Sequence, residues 1–519
     1  MIFNSLPFLF AFLPACLILY YLIVRLAPSL RRYFLLAATI VFYSFGGLAY
    51  TLLLLVSVIL NYSIAKAIMA WRDRPAAGYA LTIAVVANLL LLGVFKYAAP
   101  VIDSYNWLLS DDVEYLRLVL PIGISFFTFQ QIGFLVDLSR KRFSIDNWRD
   151  YANFVLFFPT LLAGPITRFE EMDPQLAEAP PKGLAMRNIC IGLAIFAVGI
   201  VKKSMLADTL GLYAAPVFDG AAIGEDPGLI DGWMAAFAYT AQIYFDFAGY
   251  SDMAIGVARM FGITLPANFH SPLRSANITE IWRRWHITLG RWVQTYVFQP
   301  LSVPMARLAL AREAGKWGTF WIGFAVPTTA AMVAIGVWHG AGLTFVVFGL
   351  FQSVFMITNE WWRMGRKKRK RAREVRNATV SPVWPILSVA LTVICFTISV
   401  VAFRASNVGV MVNFYEAMLG FNGWLGPVPG SPSWPLGMAG ALGMLALCWA
   451  IIFVPPNTQQ FMGRFEPVLE WPRWSKIAPP VVALHWRMTL AWAAVTGVLF
   501  FLGFIFMMRG TTQFIYFNF

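Results

Sequence analysis

A run of about 20 apolar residues is long enough to cross a bilayer as a helix, and this chain carries such runs almost end to end. They lie near 6–24, 33–47, 50–69, 79–99, 116–136, 149–166, 187–205, 229–247, 317–338, 341–359, 383–403, 437–454 and 489–508. Within hydrocarbon each backbone N–H and C=O must find a partner inside the protein, so runs of this length span as helices. The expected fold is an all-α integral membrane protein of about 11–13 transmembrane or re-entrant helices, the shorter and more polar runs being the re-entrant ones. Only 13% of the 519 residues are charged, against about 25% in soluble domains. A water-facing surface of ordinary size cannot be built from that.

The net charge of +14 raises a nucleic-acid reading, which the placement of the charges rejects. Basic residues cluster in short segments between apolar runs, as the positive-inside rule predicts. Arg25, Arg31 and Arg32 follow the first run, Arg72 and Arg74 the third, and Arg140, Lys141 and Arg142 the fifth. The alternate loop near 100–116 holds Asp103, Asp111, Asp112 and Glu114. The densest basic run is Arg363, Arg366, Lys367, Lys368, Arg369, Lys370, Arg371, Arg373 and Arg376. It reads as a cytoplasmic topology anchor, with contact to anionic lipid as a sharper alternative. The partner these charges imply is the bilayer. Because the first basic residue, Arg25, follows the first apolar run, that run reads as an uncleaved span with its N-terminus outside and not as a signal peptide.

One polytopic domain, 1–519, accommodates the pattern: N-terminal spans (1–147), a core with polar broken helices (148–362), a basic cytoplasmic loop (363–380) and C-terminal spans (381–519). The stretch 167–316 mixes apolar segments with Arg, Asp, Glu, Asn and His. Polar, broken backbone at membrane depth is tolerated only where it is buried in protein or lines a cavity, so a site is expected there. Cys16, Cys190, Cys395 and Cys448 form no close pair and give neither a disulfide framework nor a metal-binding spacing. They read as small apolar packing residues, and no metal site is expected.

Four histidines occur: His270, His286, His339 and His485. His339, in VWHGAG, is the only ionisable residue among the 43 positions from Trp317 to Asn359. An ionisable group in such a setting is a functional residue by default, the alternative being a wetted hairpin turn. Gly340 and Gly342 beside it would let backbone or substrate approach closely. His286 lies in NITEIWRRWHITLGRW (277–292). If that segment is helical, Trp282 and Arg283 share the face of His286. The segment is then either an interfacial amphipathic helix or a cavity-lining one that shows His286, Arg283 and Arg284 to an anionic ligand. His270 and His485 read as interfacial loop residues. In YFDFAGYSDMAIG (244–256), Asp246 and Asp252 need buried partners, and structural pairing with Arg283 or Arg284 is the favoured reading over a role with substrate. No P-loop, dinucleotide fingerprint, HExxH or GxSxG is present. What remains is a histidine base. Acyl transfer needs little beyond such a base, an oxyanion stabiliser and two aligned substrates. A transporter or flippase without covalent chemistry is the competing class, although no internal repeat of the transporter kind is visible.

At these residues the sequence resembles the membrane-bound O-acyltransferase family, in the branch of the alginate and peptidoglycan O-acetylation membrane subunits and the teichoic-acid D-alanyl transfer protein. The resemblance rests on LPIGISFFTFQQIGFLVD (120–137), FPTLLAGPITRF (158–169), YFDFAGYSDMAIG, NITEIWRRWHITL (277–289), WHGAG (338–342) and IYFNF (515–519). It implies a funnelled bundle thinned at its centre, His339 as the family's histidine in a tunnel, and His286 as the second histidine of the branch. Arg283, Arg284, Asp246, Asp252 and Trp338 are then the residues expected to bind substrate or stabilise charge. It implies no permanently bound cofactor, a cytoplasmic thioester donor such as acetyl-CoA, and an exported polysaccharide as acceptor. Periplasmic acetyltransferase or modification subunits, and a polysaccharide synthase complex, are the implied partners in a bacterial inner membrane. D-alanyl transfer from a carrier protein is the alternative within the branch. After WRRWHITL the sequence departs from the branch's Gly-Gly-Asn-Arg-like loop and reads GRWVQTYVFQPLSVPMARLALAREAGKWG (290–318), a segment expected to shape partner or acceptor contact.

Overall fold

The computed structural model describes residues 1–109, 113–114, 118–181, 183–374, 383–424, 434–510 and 514–515. Asp111 and Asp112, Arg376 and residues 516–519 of the C-terminal motif lie outside the described residues, as do the side chains of 366–374. The elements that matter for the site are α1 (Phe8–Leu26), α2 (Leu48–Ala70), α3 (Pro75–Leu109), α4 (Ile124–Ser139), α5 (Ala185–Ala222), α6 (Leu229–Met260), α7 (Ile278–Trp282), α8 (Ile287–Val293), α9 (Gly315–His339), α10 (Leu343–Glu374), α11 (Val383–Arg404) and α12 (Leu490–Met508). Eight of these, all but α4, α6, α7 and α8, supply segments long and apolar enough to cross a membrane. The chain is an all-α multi-pass membrane protein.

Of the remaining apolar runs, 229–247 lies in the long, charge-bearing helix α6, and the others are short or interrupted. The run at 149–166 folds as two pieces, Trp148–Val155 and Phe158–Leu161, both in the interior. The break is paid for by side chains: Gln130 Nε2 donates to the Phe154 carbonyl at 2.9 Å and Thr39 Oγ1 to the Leu156 carbonyl at 2.6 Å. Backbone groups that leave a helix at membrane depth need such donors. The runs at 33–47 and 437–454 give Arg31–Ser44 and Gly437–Phe453, of 14 and 17 residues.

Helix α6 is the axis of the bundle. It has 32 residues, carries Asp231, Asp246 and Asp252, and is buried along nearly its whole length. It packs most closely on α5. A Cβ on Gly256 would stand 2.6 Å from the Gly192 carbonyl oxygen, and one on Gly249 2.7 Å from that of Gly199. Two glycines seven residues apart on each helix thus let the backbones touch, the usual way membrane helices gain contact without a hydrophobic driving force. Gly256→Leu should therefore lower the thermal midpoint and the membrane level of the protein, since overpacking costs about 1–3 kcal/mol or more. Gly443→Ala, at a position where nothing lies within 4 Å, should leave both unchanged.

Midway along α5 the helix widens into a π-helical turn, Val201–Ala207. From it Lys202 reaches Asp252 (2.7 Å) and Lys203 reaches both Asp246 (2.8 Å) and Asp208 (2.7 Å). Thr458 and Gln459 complete the shell of Asp252. Asp246 and Asp252 are thus paired structurally, as expected, but with lysines of α5 and not with Arg283 or Arg284. Arg284 pairs with Glu280 on its own segment.

The segment 277–292 is not one helix. Helix α7 starts at Asn277, whose side chain caps the Glu280 amide at 3.0 Å, and stops at Trp282. Helix α8 starts at Ile287, and His286 between them has φ 41°, in the left-handed region. The turn is tied to the extended stretch 268–270 by Ile287 N donating to Asn268 O (2.9 Å) and His270 N donating to Arg284 O (3.0 Å). These tertiary bonds outcompete helix continuation, so Arg283 and His286 do not share a face.

Candidate active site

Helices α9 and α10 form a tight hairpin. A Cβ on Gly349 would press on the Met332 carbonyl, and one on Gly336 on that of Phe345. His339 ends α9 and is 4% exposed, so the wetted-turn alternative does not hold. Its ring packs on Trp338 (4.5 Å between centroids) and edge-on to Phe403 (4.9 Å). Gly340 serves the protein and not a ligand: the Phe345 ring occupies the space a Cβ would take.

A helix ends with carbonyls that lack intrahelical donors. Here Lys96 of α3 donates to the Trp338 carbonyl, and Tyr97 donates to the Val337 carbonyl at 2.6 Å. The Lys96 ammonium also lies 5.5 Å from the Trp338 ring centre. A cation at a helix C-terminus is favoured by the helix dipole. Lys96 is the only charged residue in the run 79–99, a signal that would have singled it out.

His286 is 1% exposed. Its ring meets Phe247 edge-on at 4.6 Å and Trp338 at 6.4 Å. Trp338 therefore touches both histidines, and residues 53 positions apart in sequence share one aromatic chamber with Phe126, Phe247 and Phe403. His286 Nδ1 contacts Asn268 Oδ1 at 3.0 Å, and Nε2 is buried without a hydrogen-bond partner among the described residues. Burial holds this imidazole below its ordinary pKa, in the neutral form.

The other two histidines stay apart from this chamber. His270 is fully buried, not interfacial, with Nε2 on the Ile477 carbonyl at 3.0 Å. Burial pushes it down to about 4. His485 is exposed and contacts the Gln460 carbonyl at 3.2 Å.

A cavity of about 1500 Å³ lies beside the chamber. It follows α9 from Thr319 to Ile335, about 24 Å of helix, along the face made by Thr328, Ala331, Met332 and Ile335. Its deep end is walled by Ile287 and Thr288, next to His286, and by Ile335, one turn before His339. The exposed residues Arg363, Arg473 and Lys476 mark its mouth, with Arg283, Arg284 and Arg291 also in the lining. Four carboxylates, Glu171, Glu280, Glu360 and Glu470, also line it, which leaves the lining with two more cationic than anionic side chains. The histidines themselves do not line the cavity. Among the described residues no group of His, Cys, Asp and Glu is arranged to hold a metal ion.

Fold and site together define a multi-pass membrane protein with a buried histidine pair at the end of a basic-mouthed cavity. The model of the membrane-bound O-acyltransferase family matches residues 141–400, and the chain belongs to that family and is an O-acyltransferase. It is 34% identical to a peptidoglycan O-acetyltransferase of Helicobacter pylori, over 82% of this chain and 80% of the relative. It is 36% identical to a probable alginate O-acetylase of Pseudomonas aeruginosa, over 82% and 76%. A teichoic acid D-alanyltransferase of Streptococcus thermophilus is 26% identical, over 60% of this chain and 70% of the relative. The transporter reading is set aside by this membership.

Proposed function

We propose that the protein moves acetyl groups from acetyl-CoA on the cytoplasmic side of a bacterial inner membrane toward O-acetylation of an exported cell-envelope polysaccharide. The observation that carries this reading is the meeting of His286 and His339 across Trp338, one helical turn from the deep end of the cavity. In the reaction a hydroxyl of the acceptor gives its proton to the histidine pair and attacks the thioester carbonyl. A C–O bond forms, the C–S bond breaks, and the departing thiolate takes up the proton. His339 is the catalytic histidine and His286 its partner, with Trp338 as the shared wall. Arg283, Arg284 and the mouth residues Arg473 and Lys476 attract the phosphates of the donor. Asp246 and Asp252 hold α5 to α6 and do not touch substrate. A periplasmic transferase, working beside a polysaccharide synthase, completes delivery to the polymer.

The cytoplasmic mouth follows from Arg363, which opens the basic run that the positive-inside rule places in the cytoplasm. The test uses inside-out vesicles containing the protein and acetyl-CoA labelled in the acetyl group. Label is expected on acceptor or partner, and its absence with intact protein overturns the reading. The likeness to a D-alanyltransferase favours a second donor, a D-alanyl carrier protein. Labelling from that carrier and not from acetyl-CoA would establish it instead. Arg473→Ala with Lys476→Ala should raise KM for acetyl-CoA about tenfold or more, because contacts to charged groups contribute about 1.5–3 kcal/mol. kcat should stay within about twofold, since interactions equal in ground and transition state move only KM.

A further inference from the structure

Asn268 is fully buried and contacts α6, the turn before α8 and the His286 ring at once. Its backbone carbonyl accepts from Ile287 N at 2.9 Å, which fixes the turn that presents His286. Its side-chain amide then reaches the imidazole itself. Nδ2 donates to Ser251 Oγ of α6 at 2.9 Å, and Oδ1 faces His286 Nδ1 at 3.0 Å and Thr288 Oγ1 at 2.9 Å.

The orientation of this amide follows from its neighbours. The Thr288 backbone N–H points at Oδ1 from 3.4 Å, and an N–H cannot face an NH₂ group favourably. Thr288 Oγ1 already accepts from Ile166 N at 3.0 Å, so its own hydrogen is available to Oδ1. The oxygen therefore faces His286. An oxygen there can only accept, so Nδ1 must carry the proton. In a neutral imidazole the other nitrogen then holds a lone pair and no hydrogen. That nitrogen, Nε2, is the one left buried without a hydrogen-bond partner among the described residues.

We propose that Asn268 is a positioning residue that fixes His286 as the Nδ1–H tautomer, so that Nε2 is presented to the chamber as a proton acceptor. This rests on the reading of His286 as part of the acyl-transfer site and sharpens it. Within the histidine pair that takes the hydroxyl's proton, His286 is an acceptor through Nε2 and does not act as an N–H donor to a developing oxyanion. The rings packed on it, Phe126, Phe247, Phe269 and Trp338, cannot ionise in the working range. His339 is the titratable group that faces it, with the Lys96 ammonium on Trp338 beyond.

The decisive measurement is made on the wild-type chain. With four histidines, ¹⁵N-histidine labelling of the full-length protein in lipid gives a spectrum in which His286→Gln assigns the His286 pair. A protonated Nδ1 with a bare Nε2 is expected, and a protonated Nε2 overturns the proposal. Asn268→Asp supplies the functional readout. A carboxylate on Nδ1–H favours the imidazolium, and a base works only when unprotonated. The acid limb of the kcat profile, measured with labelled acetyl-CoA, should then move up by about one pH unit or more. A limb and rate identical to wild type, in protein of wild-type thermal midpoint, would overturn the role of Asn268. Full activity in His286→Gln would instead remove His286 from the chemistry, and with it the reading beneath the proposal.

Discussion

His339→Gln is expected to reach the membrane at the wild-type level and to transfer acyl groups more slowly by a factor on the order of 10² to 10⁴, the range by which a positioned general base accelerates proton transfer. Glutamine is the informative replacement. The imidazole fills a chamber bounded by Trp338, Phe348 and Phe403, and alanine would leave a void there whose cost mixes with the loss of chemistry. Glutamine keeps most of the volume and the hydrogen-bonding capacity but has no titratable nitrogen. Because the base acts in the transition state, kcat and kcat/KM should fall together while KM for acetyl-CoA changes little. Label transfer within tenfold of wild type, at equal protein level, would show that His339 is part of the scaffold only.

The second large effect concerns stability. Lys203→Met should lower the stability of the protein in detergent by about 3–5 kcal/mol, the usual penalty for stranding a buried charge. Lys203 is 1% exposed and stands between two carboxylates, Asp246 and Asp208. Removing the cation leaves them facing each other at the centre of the bundle. The control is Arg404→Met. Its partner Asp219 is 65% exposed, and such pairs contribute about 1 kcal/mol or less. Thermal midpoints measured by tryptophan fluorescence check the comparison, and equal small shifts in both variants would refute the buried cluster as a keystone of the α5–α6 pair.

Membrane residence and helical content were legible because apolarity over about 20 residues is a property of the run itself. The places where helices stop were not. Val155 and Trp282 end helices because groups distant in sequence take up the backbone beside the break: Gln130 Nε2 donates to the Phe154 carbonyl and the His270 amide to the Arg284 carbonyl. Asp246 and Asp252 were legible as buried and paired, but their lysines sit in a run that reads as one more apolar span. His339 stood out through isolation. Its proximity to His286 follows from the resemblance and from packing through Trp338, since no spacing rule links positions 286 and 339. Lys96 carries the same signal as His339, a lone ionisable group in an apolar run, but only packing reveals that it caps the helix that ends at His339. Asn268 carried none, because an amide in a polar loop looks like any other.

Asp246 and Phe247 are consecutive on α6, about 100° apart around the helix. The first is clamped by Lys203 and accepts from the Ile515 amide at 3.0 Å; the second lies edge-on to His286. A single rigid rod therefore carries an electrostatic clamp on one flank and a bearing surface for the reactive ring on the other. Slack in the clamp becomes misalignment of the ring. Substitutions around Lys203 and substitutions around His286 should consequently fail to combine additively, although no side chain of one group need touch the other.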